Sequence, residues 1–201
     1  MNAQPPDRPS RKRRLLRLSA FVLAPAAAFV GLYILTLELT GNVHEVILGE
    51  VYRSGQLSPS RLAQVAAKYG IRSVLNLRGP NPGKTWYDEE VASCSAQGIT
   101  HIDVCWSALH DISPDRCGAV EQLIERAPKP LLLHCQAGAD RSGLAASVCL
   151  LGHGSTPEVA RTQLSIWYLH FPYFGSGTRA MDESFDRYAD AVKDRTIGKR
   201  E

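Results

Sequence analysis

Pro130-Leu131-Leu132-Leu133-His134-Cys135-Gln136-Ala137-Gly138-Ala139-Asp140-Arg141-Ser142-Gly143 decides more about the fold than any other stretch of this 201-residue chain. Its first four residues form a short apolar run that reads as a buried strand, and the apolar run 144–151 that follows reads as a helix. Between the two lies a tight loop that ends at a helix N-terminus. Successive backbone N–H groups in such a loop converge on one point, and the helix dipole adds positive potential there, so the geometry suits an anion. Arg141 contributes a planar fork that can hold two oxygens of one phosphate. Cys135 stands at the mouth of that field, where a thiolate is stabilised. A thiolate held against a bound phosphate is placed to attack phosphorus. Without this setting a lone cysteine reads as a small buried hydrophobe.

Working outward, the chain alternates strands and helices. Val51, Tyr52, Arg53 and Ser54 read as a strand, with a short apolar segment over 42–49 before it. Ser58 and Pro59 supply the N-cap and first position of a helix that runs to Tyr69 and closes at Gly70. Strands are expected over 71–77 and 99–104, a loop over 80–83 and a helix over 86–97. A second Ser-Pro start at Ser113 opens a helix to Arg126. The C-terminal third is expected to be helical over 157–169 and 178–193. This pattern predicts an α/β fold: a central, mostly parallel sheet flanked by helices. Ligands of such sheets sit beyond the carboxyl ends of the strands. Cys135, Arg78 and the loop 105–112 all follow strands, so all three are expected at one edge.

The pattern His134-Cys135-x5-Arg141-Ser142-Gly143 resembles the signature of the cysteine-based protein tyrosine phosphatase superfamily. Tyr52-Arg53-Ser54-Gly55-Gln56 and Asn76-Leu77-Arg78-Gly79 are similar to segments of its dual-specificity-type, bacterial members, so the resemblance covers roughly residues 50–170. It implies hydrolysis of phosphate monoesters through a cysteinyl-phosphate, without metal or cofactor. Gln136, Ala137, Gly138, Ala139, Asp140 and Arg141 would then hold the equatorial oxygens, with Arg78 contacting the phosphate or its surroundings. Ser142 matches the hydroxyl that eases breakdown of the intermediate, and also fits a plain helix-terminal cap. His134 would brace the loop structurally. The resemblance further implies an aspartic general acid on a separate loop. Here the chain departs from the pattern, reading Cys105-Trp106-Ser107-Ala108-Leu109-His110-Asp111 after the 99–104 strand. Asp111 is the candidate, with Asp103 and His110 as alternatives.

Composition places the chain among ordinary globular proteins, with 44% hydrophobic and 21% charged residues. The formal net charge of +3 is local in origin. Arg8, Arg11, Lys12, Arg13, Arg14 and Arg17 face only Asp7, and the remainder is slightly acidic, which argues against a nucleic-acid partner. Residues 18–37 carry no charge and are long enough to cross roughly 30 Å of hydrocarbon as a helix. The expected organisation is a basic cytoplasmic tail over 1–17, which is taken to lack order, then a transmembrane signal anchor over 18–39 and a phosphatase domain over 42–195. The basic head favours a single-pass inner-membrane protein whose catalytic domain faces the periplasm or cell exterior. A cleaved signal peptide is the competing reading of the same segment. No cysteine pair has C-x-x-C spacing, so a zinc or thioredoxin-type site has no support. Cys149 is expected in the core, and a disulfide among Cys94, Cys105 and Cys117 stays open.

Phosphorylated protein, with phosphotyrosine foremost, is the expected substrate. A lipid or inositol phosphate is the alternative, against which the loop offers no lysine and carries Asp140, whose charge would repel a polyanion. A catalytically weak phosphate-binding module is the third reading, and a rhodanese-type sulfurtransferase fits the Arg-Ser-Gly continuation less well. The aromatic-rich stretch 167–174 is read as a packed junction or as a substrate-facing rim.

Overall fold

The computed structural model of the chain describes residues 11–172 and 177–197. The chain divides into two compact units, Met1–Leu39 and Thr40–Glu201. The described residues of the first, 11–39, lie in helix α1, Arg11–Thr40, which runs through Pro25. Within it Leu23–Thr40 has a mean hydropathy of 1.6 over 18 residues, so by length and composition it is long and apolar enough to cross a membrane. The basic head, expected to lack order, is helical from Arg11 onward; residues 1–10 lie outside the described residues. The reason is compositional: after Pro9 the segment is built of Arg, Lys and Leu, all good helix formers, and it feeds directly into the apolar run.

The second unit holds five strands: β1 (His44–Ile47), β2 (Val51–Ser54), β3 (Ser73–Asn76), β4 (Thr100–Asp103) and β5 (Leu131–His134). Its helices are α2 (Pro59–Tyr69), α3 (Thr85–Ala96), α4 (Pro114–Arg126), α5 (Asp140–Gly152), α6 (Pro157–Arg161) and α7 (Arg179–Ile197), with a 3-10 turn at Ile166–Tyr168. The sheet order is β1-β2-β5-β3-β4. Only β1 is antiparallel to its neighbour, because a tight hairpin joins it to β2; the rest pair parallel.

Alternation along the strands divides the core between the two faces of the sheet. Val51, Leu75, Leu131 and Leu133 pack with the buried residues of α4, α5 and α7. Tyr52, Val74 and Leu132 pack with those of α2 and α3. Covered on both faces, β5 is buried at every position, as expected of a central parallel strand. Three helices start alike: Ser58, Ser113 and Thr156 each accept a bond from the backbone N–H three residues on, with Pro at the next position.

The segment 157–169 is not one helix. It stops at Arg161, and the chain reaches the 3-10 turn through an irregular stretch. Arg53 Nη1 takes the Gln163 carbonyl at 2.7 Å, an acceptor that a continuous helix would have given to the amide four residues later. All five cysteines are free; Cys149 lies in the core, and Cys105 is the exposed one.

Candidate active site

The register places Ser54, Asn76, Asp103 and His134 side by side as the last residues of four parallel strands. Everything that follows them therefore meets at one edge: Gly55 and Gln56 after β2, Arg78 after β3, Trp106 after β4, and Cys135 after β5. This is the convergence expected from the sequence.

Residues 135–139 form the loop between β5 and α5. Its carbonyls from 136 to 139 are engaged from other segments. The Gln136 carbonyl accepts from Gln56 N at 3.0 Å, and that of Ala137 from Asn42 Nδ2 at 3.1 Å. Arg53 Nη2 donates to both Gly138 O and Ala139 O, at 2.8 and 3.0 Å. Across a trans peptide the C=O and the next N–H point opposite ways, so these outward carbonyls turn the amides of 137–140 inward. Helix α5 begins at Asp140 rather than near 144, which puts Arg141 and Ser142 in its first turn. There too the amides lack intrahelical acceptors. Gly138, at φ +75°, lets the loop lie this close to β2: a Cβ there would sit 2.6 Å from Gly55 N.

Cys135 is buried at 2% exposure, and its Sγ lies 3.3 Å from Ser142 Oγ. Arg141 Nη1 donates to Trp106 O at 3.4 Å. Its Nε is buried and meets no acceptor among the described residues, a donor position suited to an anion. Arg78 stacks on Trp86 at 3.4 Å and donates to Gln56 Oε1 at 2.9 Å. Burial, with help from nearby Arg141, lowers its pKa, while Cys135 and Glu90 oppose the change. Arg78 is thus an electrostatic neighbour of both loop residues.

His134 places Nδ1 3.3 Å from Cys135 O and Nε2 3.1 Å from Glu90 Oε1. Glu90 also meets His101 through Oε1 and accepts from Gln56 Nε2 through Oε2. Burial alone would push the Glu90 carboxyl up; the hydrogen bonds from His101 and His134 outweigh it and hold the group at about 2. A buried polar chain therefore runs from α3 through His134 to the backbone of Cys135.

The acid candidates stand apart from this cluster. Asp111 is exposed and ion-paired with Arg187 at 3.0 Å. No hydrogen bond or ion pair among the described residues joins it to Cys135, Arg141 or Ser142. Asp103 accepts from Asn76 Nδ2 at 2.7 Å and from the Tyr87 hydroxyl at 2.6 Å, so both its oxygens are engaged. His110 is exposed, with Nδ1 2.9 Å from Ser107 Oγ.

Asp140 needs a correction. Expected to project negative charge onto a bound polyanion, its carboxylate is instead bonded to buried His170 at 2.7 Å. What Asp140 turns toward the centre of the loop is its backbone N–H. In the aromatic stretch, Tyr168 lies under the Arg53 guanidinium at 4.2 Å and Trp167 is exposed. Residues 173 and 174 of that stretch fall outside the described residues.

Sequence reasoning assigned no role to Arg53, Asn42, Gln56, Glu90 or His170. Arg53 did carry a signal: an arginine inside a short strand of buried residues has to find internal acceptors.

The model of a family described as "Tyrosine phosphatase family" matches residues 38–161. No match to a curated protein sequence was found. Among solved structures, a variant of Tk-PTP is 19% identical, with a TM-score of 0.59 over 75% of this chain and 96% of its own. TpbA of P. aeruginosa is 15% identical, with a TM-score of 0.57 over 76% and 91%; it has also been solved with phosphotyrosine. The core catalytic domain of the PP-IP phosphatase SIW14 from S. cerevisiae, solved with citrate, is 20% identical, with a TM-score of 0.59 over 79% and 92%. At these identities the likeness is one of fold.

Proposed function

The chain belongs to the tyrosine phosphatase family, and from that premise we propose that it hydrolyses phosphotyrosine in proteins through a phosphate ester of Cys135. The observation that carries this reading is the cradle itself: outward-held carbonyls, inward amides, Ser142 beside one buried thiol, and in the same first turn Arg141 with a buried Nε that meets no acceptor among the described residues. In the first step the Cys135 thiolate attacks phosphorus, the bond to the phenolic oxygen breaks, and that oxygen takes a proton from a general acid. In the second, the acid, now deprotonated, takes a proton from water as the water oxygen attacks phosphorus. The S–P bond breaks, phosphate leaves and the thiolate returns, with the Ser142 hydroxyl donating a hydrogen bond to the departing sulfur. Arg141 and the loop amides bind the three equatorial oxygens throughout, and are worth most when charge redistributes among them.

Asp111 is the acid in this account. It is the aspartate on the 105–113 connection whose carboxylate is exposed, and it must leave Arg187 to act. We further propose that α1 is an uncleaved signal anchor, with residues 41–201 on the periplasmic or outer side of the membrane.

A lipid or inositol phosphate is the second reading, favoured by one observation. The Asp140 charge that argued against a polyanion is matched by His170. Comparison of kcat/KM for phosphotyrosyl peptides and for inositol phosphates, using the full-length protein in detergent, separates the two. The proposal expects the peptides to be preferred, and a clear preference for the inositol phosphates overturns it.

A further inference from the structure

Asp140 directly precedes Arg141, and a free carboxylate there would cancel part of the field that holds a phosphate. Its Oδ1 lies 2.7 Å from His170 Nδ1, while His170 Nε2 lies 2.8 Å from Asp182 Oδ2 on α7. The His170 side chain has no exposed surface. Carboxylates only accept, so the two contacts are made together only by a ring protonated at both nitrogens. The surroundings agree. Burial opposes the charge, but the bonds to Asp140 and Asp182 outweigh it and push His170 up to about 9.

The remaining charges nearby are accounted for. Arg161 of α6 reaches Asp182 at 3.5 Å and also pairs with Asp186. On the β2 side, the guanidinium of Arg53 interacts electrostatically with Asp140. Within this set the formal partner of the Asp140 carboxylate is the imidazolium.

We propose that His170 is a positioning residue of the phosphate site: it holds the Asp140 carboxylate to the α7 side of the loop and cancels its charge, so that the cradle stays positive while carrying an acid. The proposal rests on the reading that residues 135–141 bind phosphate. It also assigns the segment after the 3-10 turn a part in anion affinity.

Calorimetric titration of the full-length protein in detergent with inorganic phosphate at pH 7 tests it. His170→Gln keeps one hydrogen bond but not the charge, and is expected to weaken phosphate binding by ~10-fold or more. Adding Asp140→Asn to that variant removes the uncompensated carboxylate, and is expected to recover at least half of the lost affinity on a logarithmic scale. An unchanged affinity in His170→Gln overturns the proposal. So does a loss that Asp140→Asn does not relieve, which would make His170 a structural tie only. Long-range nitrogen NMR of the unaltered chain decides the matter even where a variant does not fold. Both His170 nitrogens are expected to carry protons at pH 8, and a neutral ring at pH 7 overturns the proposal. Failure of the unaltered chain to bind phosphate at all would instead sink the reading on which the proposal rests.

Discussion

Arg53 has no exposed surface, yet its guanidinium is charged, because four acceptors from two separate segments surround it: Gly138 O, Ala139 O, Gln163 O and Gln163 Oε1. Burial lowers its pKa to about 10, which leaves it ionised at neutral pH. A lysine cannot span the same fork, since its donors radiate from one atom. Arg53→Lys is therefore expected to cost about 2–3 kcal/mol in urea denaturation, and to lower kcat/KM as the loop carbonyls lose their hold. Wild-type stability in this variant would show that the four contacts are dispensable. Leaving-group dependence exposes the acid. Asp111→Asn should lower kcat ~10²-fold for an alkyl phosphate and little for an activated phenol, which needs no proton in the transition state. Equal losses on both substrates would move the role to His110 or Asp103. At this scale the grouping of Cys135, Arg141 and Ser142 was readable, because they lie within eight residues of one another. Arg53, Glu90 and His170 were not, because each finds its partner at a distance: Glu90 and His134 are 44 positions apart, and Arg53 and Gln163 are 110.

The two buried polar clusters tie whole elements to the loop, and they act on opposite sides of neutrality. Glu90 joins α3 to β5 through His134. Its carboxyl is held down at about 2, so its contribution to stability is present above pH 4.5 and disappears as pH falls toward 2. His170 joins the start of α5 to α7. Its pKa is raised to about 9, so its contribution is complete below pH 6.5 and is lost as pH rises through 9. Denaturation midpoints measured from pH 3 to pH 9, below the range in which Arg53 titrates, should fall at both ends. Glu90→Gln should flatten the acid limb and His170→Gln the alkaline limb; an unaltered limb in either variant would contradict the assignment. Elements with local signals were legible in advance: the central apolar strand, and the Ser-Pro starts of α2 and α4. The break after Arg161 was not, since an arginine from β2 claims the carbonyl that a longer helix would need.

For the molecule as a whole, the open matter is where a phosphate ester meets the site. A reporter fused after Glu201 should be active only outside the cytoplasm, and the intact protein should stay with the membrane in carbonate. Release of a soluble product that starts near residue 29 would show a cleaved signal in place of an anchor. Replacing the five basic residues between 11 and 17 by neutral ones should weaken the orientation preference. The parallel sheet was foreseeable from alternating elements, and its consequence, four strand ends aligned on one edge, is what makes a single site of Arg78, Trp106, Cys135 and Arg141. The central claim is that Cys135 is the nucleophile in that site. Rapid acid quench of the full-length protein turning over an aryl phosphate, followed by mass spectrometry of the peptide containing Cys135, tests it most directly. The account predicts a phosphorylated Cys135 in the unaltered protein, and in Cys135→Ser no turnover with phosphate still bound. Near-normal turnover by Cys135→Ser would contradict it.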